Sequence, residues 1–74
     1  MARPPVCRAR EVLAALRRAG FLLHHQTGSH AILYKQGHPN PVTVPVHPGD
    51  LKPGTLRRII QGAGLTIEEF RRLL

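Results

Sequence analysis

The chain has 74 residues and carries eleven Lys and Arg against four Asp and Glu, a formal charge of +7; nine of those cations are Arg, whose planar fork suits phosphate. A chain this short buries only about 60% of the surface its unfolded form exposes, which excludes several domains or a large enclosed pocket. A hydrophobic content of 42% argues against disorder, while three aromatics and no Trp leave few rings for base stacking, so an anionic partner would be held mainly by charge.

Residues 1–6 read as an extended arm, because Pro4 and Pro5 deny the backbone helical hydrogen bonds. Cys7 is the sole cysteine, so neither an intramolecular disulfide nor a multi-cysteine zinc site can staple the small core. No apolar run approaches the roughly 18 residues of a membrane span, and the first five residues do not lead into the apolar stretch of a signal peptide. The expectation is a soluble protein of the reducing cytosol that does not engage a membrane.

From Arg8 to Ala19 the apolar positions Ala9, Val12, Leu13 and Leu16 recur at helical spacing, and Gly20 ends the helix behind Arg17 and Arg18. Phe21 to Gln26 and His30 to Lys35 read as two strands joined across the small polar turn Thr27, Gly28, Ser29. Alternation puts Phe21, Leu23 and His25 on one face of the first strand, and His30, Ile32 and Tyr34 on one face of the second. It does not say which face points inward. Gln36 to Pro41 is a loop, and Val42 to Val46 a third strand that lies at an edge or ends near Pro45, which has no N–H to give a ladder.

Five of the seven prolines fall between positions 39 and 53, a stiff stretch suited to carrying a surface. A second helix runs from Lys52 or Pro53 to Gln61, with Asp50 as an upstream cap and Leu56, Ile59, Ile60 and Ala63 as its buried stripe. Gly62 and Gly64 end it. Thr66 and Glu69 form a capping box that opens a last short helix, whose Ile67, Phe70, Leu73 and Leu74 can pack inward. A single domain over 1–74 follows, of the α+β class, with a three-stranded antiparallel sheet packed on helices.

Five histidines, His24, His25, His30, His38 and His47, are more than a small core needs. Imidazole ordinarily titrates near about 6.5, so its neutral form can take a proton from a ribose 2′-hydroxyl and its charged form can give one to a leaving oxygen. Cationic side chains would stabilise the phosphorane charge. His30 is the best base because it opens a strand directly after Gly28 and Ser29, whose small side chains and backbone N–H groups let a phosphate come close. Taken singly, His30 reads equally well as a strand-end histidine with a structural hydrogen bond. His47, between Val46 and Pro48-Gly49, is the second choice for acid or phosphate ligand, and in a nuclease either His47 or His25 would serve as acid or electrostatic helper. His24 and His25, adjacent on a strand, point to opposite faces and cannot both serve one site. His38 reads as solvated. Lys35, Lys52 and Arg57 are the nearest phosphate contacts. A histidine metal site is disfavoured, since no H-E-x-x-H motif or neighbouring carboxylate accompanies the cluster.

Leu16-Arg17-Arg18-Ala19-Gly20-Phe21, Gly28-Ser29-His30, Val44-Pro45-Val46-His47, Gly54-Thr55-Leu56-Arg57-Arg58-Ile59 and Ala63-Gly64-Leu65, in that order and spacing, resemble the HicA toxin family from Pro5 to the C-terminus. The resemblance implies a double-stranded-RNA-binding-like fold, α-β-β-β-α, and a metal-independent mRNA interferase silenced by a cognate HicB-type antitoxin. It implies that His30 is catalytic and aligns His47 with a later Pro-x-His position. The residues expected on the RNA side are Gly28, Ser29, His25, Lys35, Lys52 and Arg57. His25 departs from the family pattern, which often has Arg there, and Cys7 stands where a small polar helix cap is common.

Two functional classes are expected to compete: an RNA endonuclease, and a non-catalytic module holding RNA by shape and 2′-hydroxyl contacts. A small adaptor for an acidic protein is a weaker third. The free chain is expected to be monomeric and to need no cofactor.

Overall fold

Gly20 and Gly64, at φ +102° and +74°, end two helices with the same turn: the amide of the next residue reaches back five positions, Phe21 N to Leu16 O at 2.9 Å and Leu65 N to Ile60 O at 3.1 Å. Only glycine adopts these backbone angles cheaply, so the two stops are written locally. Between and around them, the computed structural model describes residues 3–74 as α1 (Ala9–Arg18), β1 (Leu22–Gln26), β2 (His30–Tyr34), β3 (Val42–Pro45), α2 (Pro53–Gly62) and α3 (Ile67–Leu73).

The sheet is antiparallel in the order β1-β2-β3, so β3 is the edge strand that Pro45 predicted, and it ends at that residue. Opposite pairs His30–Pro45, Ala31–Val44, Ile32–Thr43 and Leu33–Val42 settle the inward face. Ala31, Leu33, Val42 and Val44 are buried beneath the helices, and His30, Tyr34 and Thr43 are exposed on the other side. The helices cover one face only. All buried side chains form one cluster, with Phe21, Leu16, Val12, Leu56, Ile60 and Phe70 at its centre. The stripe expected on α2, Leu56, Ile59, Ile60 and Ala63, is buried in full. On α1 the buried set is Ala9, Val12, Ala15 and Leu16, with Leu13 only half-buried.

Four local expectations change. Cys7 does not cap α1; it is buried in the core, and Arg8 holds the cap position while the Glu11 carboxylate accepts its amide at 2.9 Å. Burial, helped by Glu11 and Asp50, pushes the Cys7 thiol up. Asp50 does not cap α2 either; Lys52 occupies that position with no side-chain cap, and residue 50 pairs with Arg8 in an isolated bridge while Leu51 N donates to Cys7 O at 2.9 Å. The proline-rich run is thereby tied to the start of α1. His38 is not solvated: its Nε2 donates to Gly62 O at 2.7 Å and its ring meets Phe21 edge-on, at 5.3 Å between centroids. Leu74 remains exposed, whereas Phe70 is fully buried and Arg18 Nη1 donates to Leu73 O, fastening α3 across α1. The Thr66–Glu69 capping box forms as read, with Thr66 N on Glu69 Oε1 at 2.8 Å and Glu69 N on Thr66 Oγ1 at 3.0 Å.

The largest change lies in β1. Leu23 is opposite Leu33, but the next pair is His25–Ile32, so His24 is an extra residue. Such a bulge places two consecutive side chains on one side of the sheet. Phe21 can then be buried, and Leu23 can lie opposite inward-facing Leu33, without drawing His25 after them.

Candidate functional site

The turn between β1 and β2 is shaped by Thr27, whose amide donates to His30 O at 2.9 Å and whose hydroxyl accepts from His30 N at 3.2 Å. This clasp holds His30 at the first position of β2, exposed on the open face. Ser29 Oγ lies 3.0 Å from His30 Nδ1, which fixes the ring by one nitrogen and leaves Nε2 unengaged. When Nδ1 carries the proton and donates to Ser29, Nε2 has a free lone pair. Gly28 has no positive φ, and a Cβ there would meet nothing within 4 Å, so nothing in the fold requires glycine at this position. Its lack of a side chain matters only to what approaches from outside.

Val46 N donates to Ser29 O at 2.7 Å, which draws the segment after β3 against the same turn. His47 follows. It lines a groove of about 240 Å³ with Arg8, Ala9, Arg10, Val46, Pro48 and Gly49, and its Nδ1 lies 3.4 Å from Pro48 O. Sequence spacing does not make Arg8 and Arg10 partners of His47; the bridge from Arg8 to Asp50 brings them together, and no local pattern signals it. His30 and His47 therefore flank one end of the sheet, with Arg8 and Arg10 among the residues on the His47 side.

The open face carries more than alternation allows. His25 is opposite Ile32, which shares a face with His30 and Tyr34, and His24 stacks edge-on against Tyr34 with ring centroids 4.7 Å apart. His24 and His25 consequently lie on one face, contrary to the expectation that they diverge, because the bulge adds a residue between them and Leu23. Leu22 is 71% exposed and Tyr34 46% exposed, so this surface is open to a partner.

The cations chosen from sequence are dispersed. Lys35 lies beyond the far end of β2 from His30; its stem crosses Gly20 and its ammonium stands 5.6 Å from the Phe21 ring centroid. Lys52, at the α2 cap position, follows Leu51, whose amide bond to Cys7 O ties this segment to the start of α1; Lys52 does not line the His47 groove. Arg57 is half-buried on α2. Among the described residues no three His, Cys, Asp or Glu side chains gather into a cluster able to hold a metal ion, and no helix is long and apolar enough to cross a membrane.

A small α+β domain with one sheet face covered by helices and a hydrogen-bonded histidine at the edge of the other defines the class. A family model described as HicA toxin of bacterial toxin-antitoxin matches residues 9–65 of the 74, and the chain belongs to that family of toxins. A search of curated proteins found no match.

Proposed function

We propose that the protein acts as an endoribonuclease on mRNA, without a metal, and that a HicB-type antitoxin silences it by covering His30 and the neighbouring basic surface. One observation carries this reading: His30, exposed at the start of β2, is pinned through Nδ1 by Ser29 and offers Nε2 to solvent. In the proposed reaction Nε2 takes the proton of a ribose 2′-hydroxyl and the 2′-oxygen forms a bond to the adjacent phosphorus. The bond from phosphorus to the 5′-oxygen breaks, its electron pair passing to that oxygen, which takes a proton from a second, acidic group, leaving a 2′,3′-cyclic phosphate and a 5′-hydroxyl. Gly28 gives the phosphate room, and His47 with Arg8 and Arg10 holds a phosphate in the groove beside it. Lys52 and Arg57 contact the RNA backbone on the helical side, and Lys35 does so beyond the far end of β2. Net charge +7 supports a polyanionic substrate. The site is proposed to work in the cytoplasm with the free toxin as a monomer.

The test is induction of the wild type beside His30→Ala in a bacterial host, following growth and the integrity of a reporter mRNA, with both chains shown to be folded. Arrest and cleavage by the wild type alone support the nuclease and its base. Arrest by both without cleavage would replace the reading with non-catalytic RNA binding.

A further inference from the structure

We propose that His25 is the general acid of this cleavage, giving its imidazolium proton to the departing 5′-oxygen; the inference rests on the nuclease reading above and names the second catalytic residue of the same site. Its basis is the bulge at His24. A regular strand would carry His25 to the helix side behind Phe21 and Leu23, away from His30. The extra residue instead sets His25 opposite Ile32, two positions along β2 from His30, on the same open face.

Diagonal neighbours across an antiparallel pair are about 7–8 Å apart, with their Cβ atoms somewhat nearer. Two imidazoles at that separation can each reach an oxygen on opposite sides of one phosphorus within the usual hydrogen-bond range of about 2.6–3.2 Å. The balance is complete: His30 gains the 2′-hydroxyl proton, the electron pair of the breaking P–O bond goes to the 5′-oxygen, and His25 supplies the proton it takes up. Exchange with solvent water restores both rings.

The other imidazoles are differently placed. His24 lies against Tyr34, His38 donates to Gly62 O on the helix side, and His47 faces the groove with Arg8 and Arg10. No Asp or Glu occurs in β1, β2 or β3, so no carboxylate on these strands offers a competing acid.

A thiolate leaves without a proton far more readily than an alkoxide, so a substrate with sulfur in place of the bridging 5′-oxygen bypasses a general acid. A defined RNA cut by the wild type is prepared with oxygen and with sulfur at the cut position, and initial rates are measured for the wild type, His25→Ala, His25→Arg, His30→Ala and His47→Ala. Removal of a general acid costs about 10²–10⁴-fold. His25→Ala and His25→Arg are expected to lose that much on the oxygen substrate and to cut the sulfur substrate within a few-fold of wild type. His25→Arg keeps the charge but has no proton to give, so it separates acid catalysis from electrostatic help. His30→Ala stays slow on both substrates. Near-wild-type cutting of the oxygen substrate by either His25 variant overturns the assignment. So does an equal slowing on both substrates, or selective sulfur rescue in His47→Ala. Each variant's thermal midpoint is measured beside its rates, and His25 is solvent-exposed, so wild-type values are expected. If the folded wild type cuts no RNA from which such a substrate could be chosen, the nuclease reading itself falls.

Discussion

The two faces of the three-stranded sheet carry opposite duties. The inner face presents Ala31, Leu33, Val42 and Val44 to the helices and holds the fold together. The outer face presents His24, His25, His30, Ile32, Tyr34 and Thr43 to solvent and contributes little apolar burial. Because the strands are short and the sheet is covered on one side only, every second residue is free of packing duty. A domain of this size can thus leave half its sheet free of packing without emptying its core. The same division explains how several imidazoles are tolerated: on the open face none of them has to be desolvated.

Substitutions on the two faces should separate activity from stability, and the largest effect lies outside. His30→Ala is expected to lower RNA cleavage about 10²–10⁴-fold while changing unfolding free energy by less than about 0.5 kcal/mol. Parallel cleavage assays and urea melts check both halves. A large stability loss would show that the outer face also holds the fold. Ile32 and Leu33, neighbours on opposite faces of β2, give a core contrast. Leu33→Ala should cost about 2–5 kcal/mol, a large part of the stability of a domain this size, against about 1 kcal/mol or less for the half-exposed Ile32→Ala. Equal losses in urea melts would erase the distinction between the faces.

A smaller effect belongs to His38, which ties the β2–β3 loop to the end of α2. His38→Ala removes the bond to Gly62 O and the edge contact with Phe21, so a loss of about 1–3 kcal/mol is expected with cleavage per folded molecule unchanged.

The smallest effect is on the acid limb. The Thr66 backbone amide, with help from its hydroxyl, holds the Glu69 carboxyl below the usual range. Because the folded value is the lower one, the cap stabilises α3 above the unfolded value, near about 4.3, and that contribution fades as pH falls through the folded one. Thermal midpoints measured from about pH 5.5 down to about 3 should therefore fall less steeply for Glu69→Gln than for the wild type.

Elements governed by neighbours in sequence are legible in the residues themselves. The helix stops at Gly20 and Gly64, the capping box at Thr66, the stripe of α2 and the end of β3 at Pro45 each depend on residues within one or two turns. What local pattern misplaces depends on distant partners. His38 finds its acceptor 24 positions away, and Arg8 meets Asp50 only after the whole sheet has been laid down. The face of His25 escapes alternation because alternation assumes an unbroken ladder. Burial of Phe21 and the Leu23–Leu33 pairing are satisfied together with His25–Ile32 only if one residue is extra. Within the site, His30 and Ser29 are visible as a motif, whereas the companionship of His47 with Arg8 and Arg10 is not.

The bulge has a second consequence, for association between sheets. In the order β1-β2-β3 both outer strands expose a row of backbone groups to which another chain could add. On one side the ladder is interrupted at His24, so an incoming strand meets a break after two residues; on the other, Pro45 withholds its amide. Each free edge thus carries its own obstacle to growth. A protein with Leu22 and Tyr34 uncovered can keep that open face for a chosen ligand without inviting endless addition of its own copies.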